Sequence, residues 1–445
     1  MNLALSSVNL LQSVPQSLRR YAGQRTAWLL LLVAAAAAYY PRFVKLPAGM
    51  ETYPQAAACL WRGEVLQACD PGFTYPPFFA LVMLPFVAMP LWLRDLVWYA
   101  VTIAATIGAF KLSEYIVGKS LVTPLQRAEL FWLRFLTLLL SAKLVLAVFE
   151  NQAYDALVLA AVLAGLAALS DGRALGAGAG LALAAALKAT PLIFLPYLLW
   201  KRHFAAAAAF VLVYAGASLL PDILFAPAGG QGSLADGYFA AWLREVAGPA
   251  LGDNPASAPF AFWDGANILN HSLRGAISLN VDQAHHRSLF EAALASADGC
   301  FIVVVGTLVA VSPRRPQSIA FDGSLLLIAM LMLSPMTSRS HYVALLLPYM
   351  TLLAHNWRDQ RSAQLGRAVL AASFALVTLA GNDAVGEAFT VWAYRHSAMV
   401  LGTLALLIYF AVLAIERSER PMAWRPHYFP LPAASRGRPI SNQYR

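Results

Sequence analysis

Charge is scarce in this chain: Asp, Glu, Lys and Arg make up 12% of its 445 residues, against 59% hydrophobic, and the mean hydropathy is +0.60. That balance excludes a single soluble core. Apolar runs of about 20 residues recur between short polar connections, the hydropathy signature of spanning helices, and about ten spans or half-spans are expected. The sequence therefore predicts an all-α polytopic membrane protein. Cysteine is also nearly absent, at three residues, and no Cys/His spacing suits a structural zinc, so no metal is expected. No Gly-rich phosphate loop is visible, the two halves show no convincing internal similarity, and the N-terminus has no cleavable signal pattern. The net charge of +9 does not point to nucleic acid, because Lys and Arg lie in short connections between apolar runs rather than on one continuous face.

Those basic connections give the chain a topology, since cytoplasmic loops carry the excess of Lys and Arg. Arg19, Arg20 and Arg25 place a cytoplasmic N-terminus at 1–26, followed by a retained first span at 27–46. Lys201-Arg202-His203, Arg314-Arg315, 358–367 and a basic tail at 416–445 fall on the same side. The tail has too few apolar residues for a core and reads as a mobile extension near anionic headgroups. The transmembrane domain is bounded at 27–415, with a first outer loop at 47–75, a second large one at 222–285, and shorter outer connections at 334–341 and 381–396. The expected location is the inner (plasma) membrane of a bacterium, with both termini cytoplasmic and the active site facing the periplasm or exterior.

Two stretches resist this count. Residues 175–200 are apolar but interrupted by Lys188-Ala-Thr-Pro191, with basic residues on both flanks, which predicts a hairpin of two short helices meeting at Lys188 and Pro191. Within 111–150, Lys111, Lys119 and Arg127 look internal although alternation puts them outside, and a hidden short or re-entrant segment is expected there.

Polar residues in or beside apolar runs carry the functional signal. Glu51 appears as soon as the chain can leave the hydrocarbon, and Asp70 is a second carboxylate in the same loop. Tyr53, Trp61, Phe73 and Tyr75 suit stacking on sugar rings or an interfacial belt. Cys59 and Cys69 in this loop read equally as a disulfide of an oxidising exterior or as two buried packing thiols. Lys188 could neutralise a phosphate delivered from the bilayer, or snorkel to a headgroup. In Glu150-Asn151-Gln152-Ala153-Tyr154-Asp155, capping of the next helix by Asn151 or Asp155 is the bland account. The loop Asn267 to Arg274, with Asn270, His271 and the Arg274 fork, could hold sugar hydroxyls or a phosphate, or bond only to itself. In Ser334-Pro335-Met336-Thr337-Ser338-Arg339-Ser340-His341-Tyr342, a helix start beside Arg339 and His341 forms a plausible anion site.

In order, YPQAAACLWRG, FTYPPFF, the Asn-Gln tract, the Gly-rich helix ending LK..P, NHSLRG and SPMTSRSHY resemble the membrane glycosyltransferases of family 87, over roughly residues 28 to 415. The resemblance implies a GT-C-type multi-span helical bundle with extracytoplasmic loops carrying the active site. It also implies a polyprenyl-phosphate sugar donor, and known members are mannosyl- and arabinofuranosyl-type transferases. Three positions depart from the family pattern. Gly49 stands where an Asp four residues before Tyr53 is usual, Asn151-Gln152 replaces Gly-Gln, and Ser338 and Ser340-His341 replace a Trp and paired His.

Displacement of a lipid phosphate at an anomeric carbon needs a carboxylate to take the acceptor proton and cations to hold the departing phosphate. Glu51 is the expected base and Asp70 the second choice, with Lys188, Arg339 and His341 at the phosphate. Tyr53, Tyr75, Asn151, Gln152, Asn270, His271 and Arg274 are assigned to substrate. The reading is an inverting single displacement that moves one mannose- or pentose-like sugar to an extracytoplasmic glycan or glycolipid acceptor. Membrane lipid is the only other partner, and no cofactor beyond the donor is expected. A flippase of lipid-linked glycans, or a polysaccharide polymerase or ligase, would use the same charges differently.

Overall fold

The computed structural model describes residues 34, 36–45, 48–70, 72–225, 236–251, 267–282, 285–358 and 362–418. The expected cytoplasmic N-terminus, residues 27–33, 35 and 46 of the first span and nearly all of the basic tail lie outside the described residues. No strand occurs among the described residues, and the chain is an all-α polytopic membrane protein. Five helices are long and apolar enough to cross a membrane: α2 (Leu91–Ser120), α3 (Arg127–Glu150), α7 (Phe204–Leu224), α8 (Arg287–Val311) and α11 (Ala398–Ser418), and before them runs α1 (Ala48–Trp61). Shorter apolar helices fill the interior, chiefly α4 (Asp155–Ser170), α5 (Ala174–Leu187), α6 (Phe194–Trp200), α9 (Ile319–Met332) and α10 (Leu346–Arg358).

Composition sorts the helices into these two groups. α4, DALVLAAVLAGLAALS, is apolar all round and buried along nearly its whole length, as a helix enclosed on every side must be. α5, ALGAGAGLALAAAL, is built of small residues, which let backbones approach closely where lipid gives no hydrophobic drive between helices. A Cβ on Gly178 would lie 2.2 Å from the Ala206 carbonyl of α7, so only glycine fits at that crossing. The long helices turn Ile107, Leu212, Ile302, Val303 and Ile408 outward, an apolar coat suited to hydrocarbon.

The break at Lys188 occurs as expected. Lys188 is extended (φ −151°, ψ 128°) after α5, Thr190–Ile193 form a single 3₁₀ turn containing Pro191, and α6 then returns. Gly172 and Ala174 before the hairpin line the same cavity as Tyr197, Lys201 and His203 after it. The expected irregularity within 111–150 does not occur: α2 and α3 are uninterrupted and joined by 121–126. The short segment lies earlier, where Pro77–Val82 and Leu84–Val87 are two helices of six and four residues. Pro76, Pro77, Pro85 and Pro90 chop that apolar run into pieces shorter than a span.

The bundle has two polar ends. At one, Lys119 pairs with Asp171 at 3.3 Å, and Lys201 donates to the Ser312 carbonyl at 2.7 Å, so connections that are distant in sequence meet. At the other, Asp155 meets Lys188, Ser340 and His341.

Candidate active site

α1 opens the Asp155 end with Glu51 in its first turn, so the segment expected as the first outer loop begins with a 14-residue helix. Cys59, buried in α1, is disulfide-bonded to Cys69, with a Cα–Cα distance of 6.2 Å. The bridge pins the turn that follows α1, so that Phe73 to Phe79 fold back over Tyr53. There Tyr53, Tyr75, Phe79 and Tyr154 interlock with ring centroids 4.4 to 5.8 Å apart.

Behind this aromatic cluster stands Asp155. Its side chain does not cap α4. The Lys188 ammonium sits 2.7 Å from one carboxylate oxygen, the Ser340 hydroxyl donates to the other at 2.9 Å, and His341 Nε2 lies 3.5 Å away. The Ser338 backbone N–H donates to His341 Nδ1 at 3.0 Å, which leaves the ring proton on Nε2, facing Asp155. Lys188 also lies over the Tyr154 ring, 5.5 Å from its centroid. A cavity of about 30 Å³ between Asp155, Lys188, Thr190, Ser334, Thr337 and His341 has room for one water.

Arg339 begins the 3₁₀ turn Arg339–Leu345. Its Nε and Nη2 are buried without a hydrogen bond among the described residues. A guanidinium so placed has donors left for a planar anion. It lies beside Gly381, where a Cβ would approach within 2.1 Å of Nη2. Next to it Lys143 of α3 pairs with Asp383 at 2.8 Å and holds that carboxyl below its ordinary range, with Arg42 and Arg339 adding to the effect. Burial and the charges of Arg339 and His341 press His271 down to about 3, so it stays neutral, with its ring 4.6 Å from that of Tyr394.

The two loop carboxylates differ. Glu51 is exposed and makes no hydrogen bond or ion pair among the described residues. Asp70 accepts the Gly72 N–H at 2.7 Å, and partial burial raises its carboxyl above the usual range. Asp70 and Asp155 both act on Tyr75, whose hydroxyl burial and Asp155 push up to about 12. Asp70 thus adjoins the aromatic cluster that also touches Asp155. Gly49 has no space for a larger residue, since a Cβ there would lie 2.6 Å from the Gln152 carbonyl and 2.9 Å from Tyr53.

Several residues assigned to substrate hold the scaffold. Gln152, at φ 48°, is fully buried; its amide donates to the Phe43 carbonyl at 3.2 Å and accepts from the Met50 N–H at 3.0 Å. Asn151 donates to the Ala147 carbonyl at 2.8 Å. Asn270 clamps the second loop to the 334–341 turn by donating to the Pro335 carbonyl at 2.9 Å and accepting from the Thr337 N–H at 3.1 Å. Arg274 reaches the Ala250 carbonyl at 3.1 Å and lies beside Asp298 of α8 rather than among the Asp155 partners. The ion pairing of Asp155 with Lys188 and of Lys143 with Asp383 went unrecognised in the sequence. Asp155 had a signal: a carboxylate opening an otherwise uncharged helix, in a chain whose Lys188 also lacks a neighbour of opposite sign, is its natural counter-ion.

The chain is thus a polytopic helical membrane protein with carboxylates, cations and stacked aromatics gathered at one end of its bundle. The sequence model described as Glycosyltransferase family 87 matches residues 73–335, more than half of the chain, and the chain belongs to that family: it is a membrane glycosyltransferase. It is also similar to the polyprenol-phosphate-mannose-dependent alpha-(1-2)-phosphatidylinositol pentamannoside mannosyltransferase of Mycobacterium tuberculosis (strain CDC 1551 / Oshkosh). The two are 28% identical over 370 residues, covering 80% of this chain and 75% of the relative. No solved structure matches the chain.

Proposed function

We propose that this glycosyltransferase moves one sugar, of the mannose or pentose type, from a polyprenyl-phosphate donor to a glycan or glycolipid acceptor on the extracytoplasmic side of the membrane. The observation that carries the reading is the Arg339 guanidinium edge, buried and without a hydrogen bond among the described residues, in the same turn as Ser340 and His341 of the Asp155–Lys188–His341 cluster. A departing lipid phosphate supplies the oxygens those N–H groups lack. The relative's dependence on polyprenol-phosphate-mannose agrees with such a donor. The disulfide at the same end favours the oxidising face, and the basic connections at the other end favour the cytoplasm.

Each group then has a role. Asp70 takes the acceptor hydroxyl proton, because its raised affinity for protons suits a general base better than exposed Glu51 or ion-paired Asp155. Arg339, Lys188 and His341 take up the charge that develops on the phosphate oxygen as the anomeric carbon–oxygen bond breaks. Asp155 orients Lys188 and His341 rather than accepting the proton. Attack from the face opposite the phosphate inverts the anomeric centre, and no nucleophile on the protein is required. Tyr53 and Tyr75 flank the sugar.

Purified protein in lipid, given a polyprenyl-phosphate sugar and an acceptor, tests this directly. Asp70→Asn is expected to lower kcat by about 10² to 10⁴, and the acid limb of the wild-type kcat/KM profile to fall above the ordinary carboxylate range. Asp70→Asn at full rate with Glu51→Gln inactive would transfer the base to Glu51. Full turnover in both variants would defeat a loop-carboxylate mechanism.

A further inference from the structure

The opposite end of the bundle holds a cavity of about 180 Å³ whose floor is the second buried lysine–carboxylate pair. Lys201 lies 3.1 Å from Asp322 and donates to the Ser312 carbonyl at 2.7 Å, and the Tyr197 hydroxyl donates to Asp322 at 3.3 Å. The one carboxylate of the lining is therefore already neutralised. Around it stand His203, Arg314 and Arg315, and none of the three has a carboxylate within ion-pair distance among the described residues. Arg314 is fixed by one nitrogen, which donates to the Trp200 carbonyl at 3.2 Å. The potential is positive enough that burial, Lys201 and Arg314 together hold His203 below its ordinary value.

An arginine that serves topology alone needs only solvent. Here the turn from Pro313 to Pro316 holds two arginines at the edge of a cavity that accommodates about six waters at about 30 Å³ each, enough for a phosphate group with part of its hydration. Trp200, Phe204 and Leu175, chain neighbours of the lining residues Lys201, His203 and Ala174, are exposed apolar side chains beside it. Acyl chains can lie along such a surface while a headgroup turns inward.

We propose that this cavity is an anion site that takes a phosphate group, supplied by an anionic phospholipid headgroup or by free phosphate, at the end of the bundle remote from Asp155. Arg314 and Arg315 form the charge-assisted hydrogen bonds, and Lys201 with Asp322 supplies a neutral polar floor. The site is independent of the sugar-transfer reading, since no residue is shared between the two ends.

The test is lipid retention by the full chain, read by native mass spectrometry after exchange into zwitterionic lipid with or without phosphatidylglycerol. Wild type is expected to keep a bound phosphatidylglycerol, and Arg314→Gln/Arg315→Gln to lower its occupancy about tenfold, whereas Arg314→Lys/Arg315→Lys, which preserves charge, keeps most of it. In a second arm, inorganic phosphate is added in zwitterionic lipid and melting is followed. A rise for wild type that is absent in the Gln pair, without lipid retention, assigns the site to free phosphate. Sugar transfer by the Gln pair at the wild-type rate shows that it is folded. Equal phosphatidylglycerol retention by wild type and a transfer-competent Gln pair, with no melting response to phosphate, would overturn the proposal.

Discussion

Two lysines lie in apolar sequence, each meets an aspartate, and the two pairs differ in what surrounds them. Lys201 and Asp322 are each 2% exposed; Lys201 also donates to the Ser312 carbonyl and Asp322 Oδ2 accepts from Tyr197, while Asp322 Oδ1 and the Ser312 hydroxyl make no hydrogen bond among the described residues, and the pair joins the α6–α7 turn to α9. Lys188 and Asp155 are 14% and 6% exposed and stand among Ser340 and His341, which follow directly in the chain on Arg339 with its unfilled N–H groups. A buried ion pair therefore does not by itself mark a reaction centre. What distinguishes the Asp155 end is a cation with unfilled donors, the Arg339 guanidinium in the neighbouring turn, because leaving those N–H groups buried costs free energy that an anion recovers.

The comparison can be broken from either side. The largest effect is expected from Lys201→Met, which strands Asp322 in the interior and should cost about 3 to 5 kcal/mol of stability, with Lys201→Met/Asp322→Leu recovering most of it. Unfolding midpoints of the three proteins check this, and a double variant as unstable as the single one would count against the pair as the cause. At the other end, Arg339→Gln should lower kcat by about 10² to 10³ while leaving the melting temperature nearly unchanged. If both variants moved stability alike and neither moved kcat, the contrast between the ends would vanish.

Two smaller effects sharpen the picture. His271 has its pKa depressed to about 3 from 6.5, so the unfolded chain binds the extra proton first; stability present above 6.5 is lost as pH falls below it, by up to about 1.4 kcal/mol per pH unit. His271→Phe should flatten that part of the melting profile. Gly381→Ala should displace the Arg339 guanidinium and lower kcat about tenfold, near 1.4 kcal/mol, with little change in melting. Wild-type kinetics in this variant would mean that the guanidinium can move without loss.

The broken helix at Lys188 was legible in the sequence because Pro191 and a charge interrupt an apolar run, and backbone chemistry permits few alternatives. The irregular segment expected within 111–150 lies instead at 77–87, where prolines divide an apolar run, a signal that hydropathy alone passes over. Lys188, Arg339 and His341 stood out in the sequence as polar residues in or beside apolar segments, and the structure brings Lys188 and His341 to one carboxylate, Asp155. The backbone clamps made by Gln152 and Asn270 were not legible, because a free amide and one that clamps backbone are identical in sequence. Their hydrogen bonds reach Phe43, Met50, Pro335 and Thr337, far from their chain neighbours.

By itself, the sequence determined the solvent this protein folds in, the helical form of its segments and the family to which it belongs. Those follow from hydropathy, proline placement and motif order, all of which act along the chain. The tertiary structure alone decided which charges meet: Asp155 with Lys188 and His341, Lys201 with Asp322, and Arg339 with open N–H groups. Coulomb attraction and hydrogen bonding depend on distance through space, and helix packing sets that distance without regard to separation in sequence.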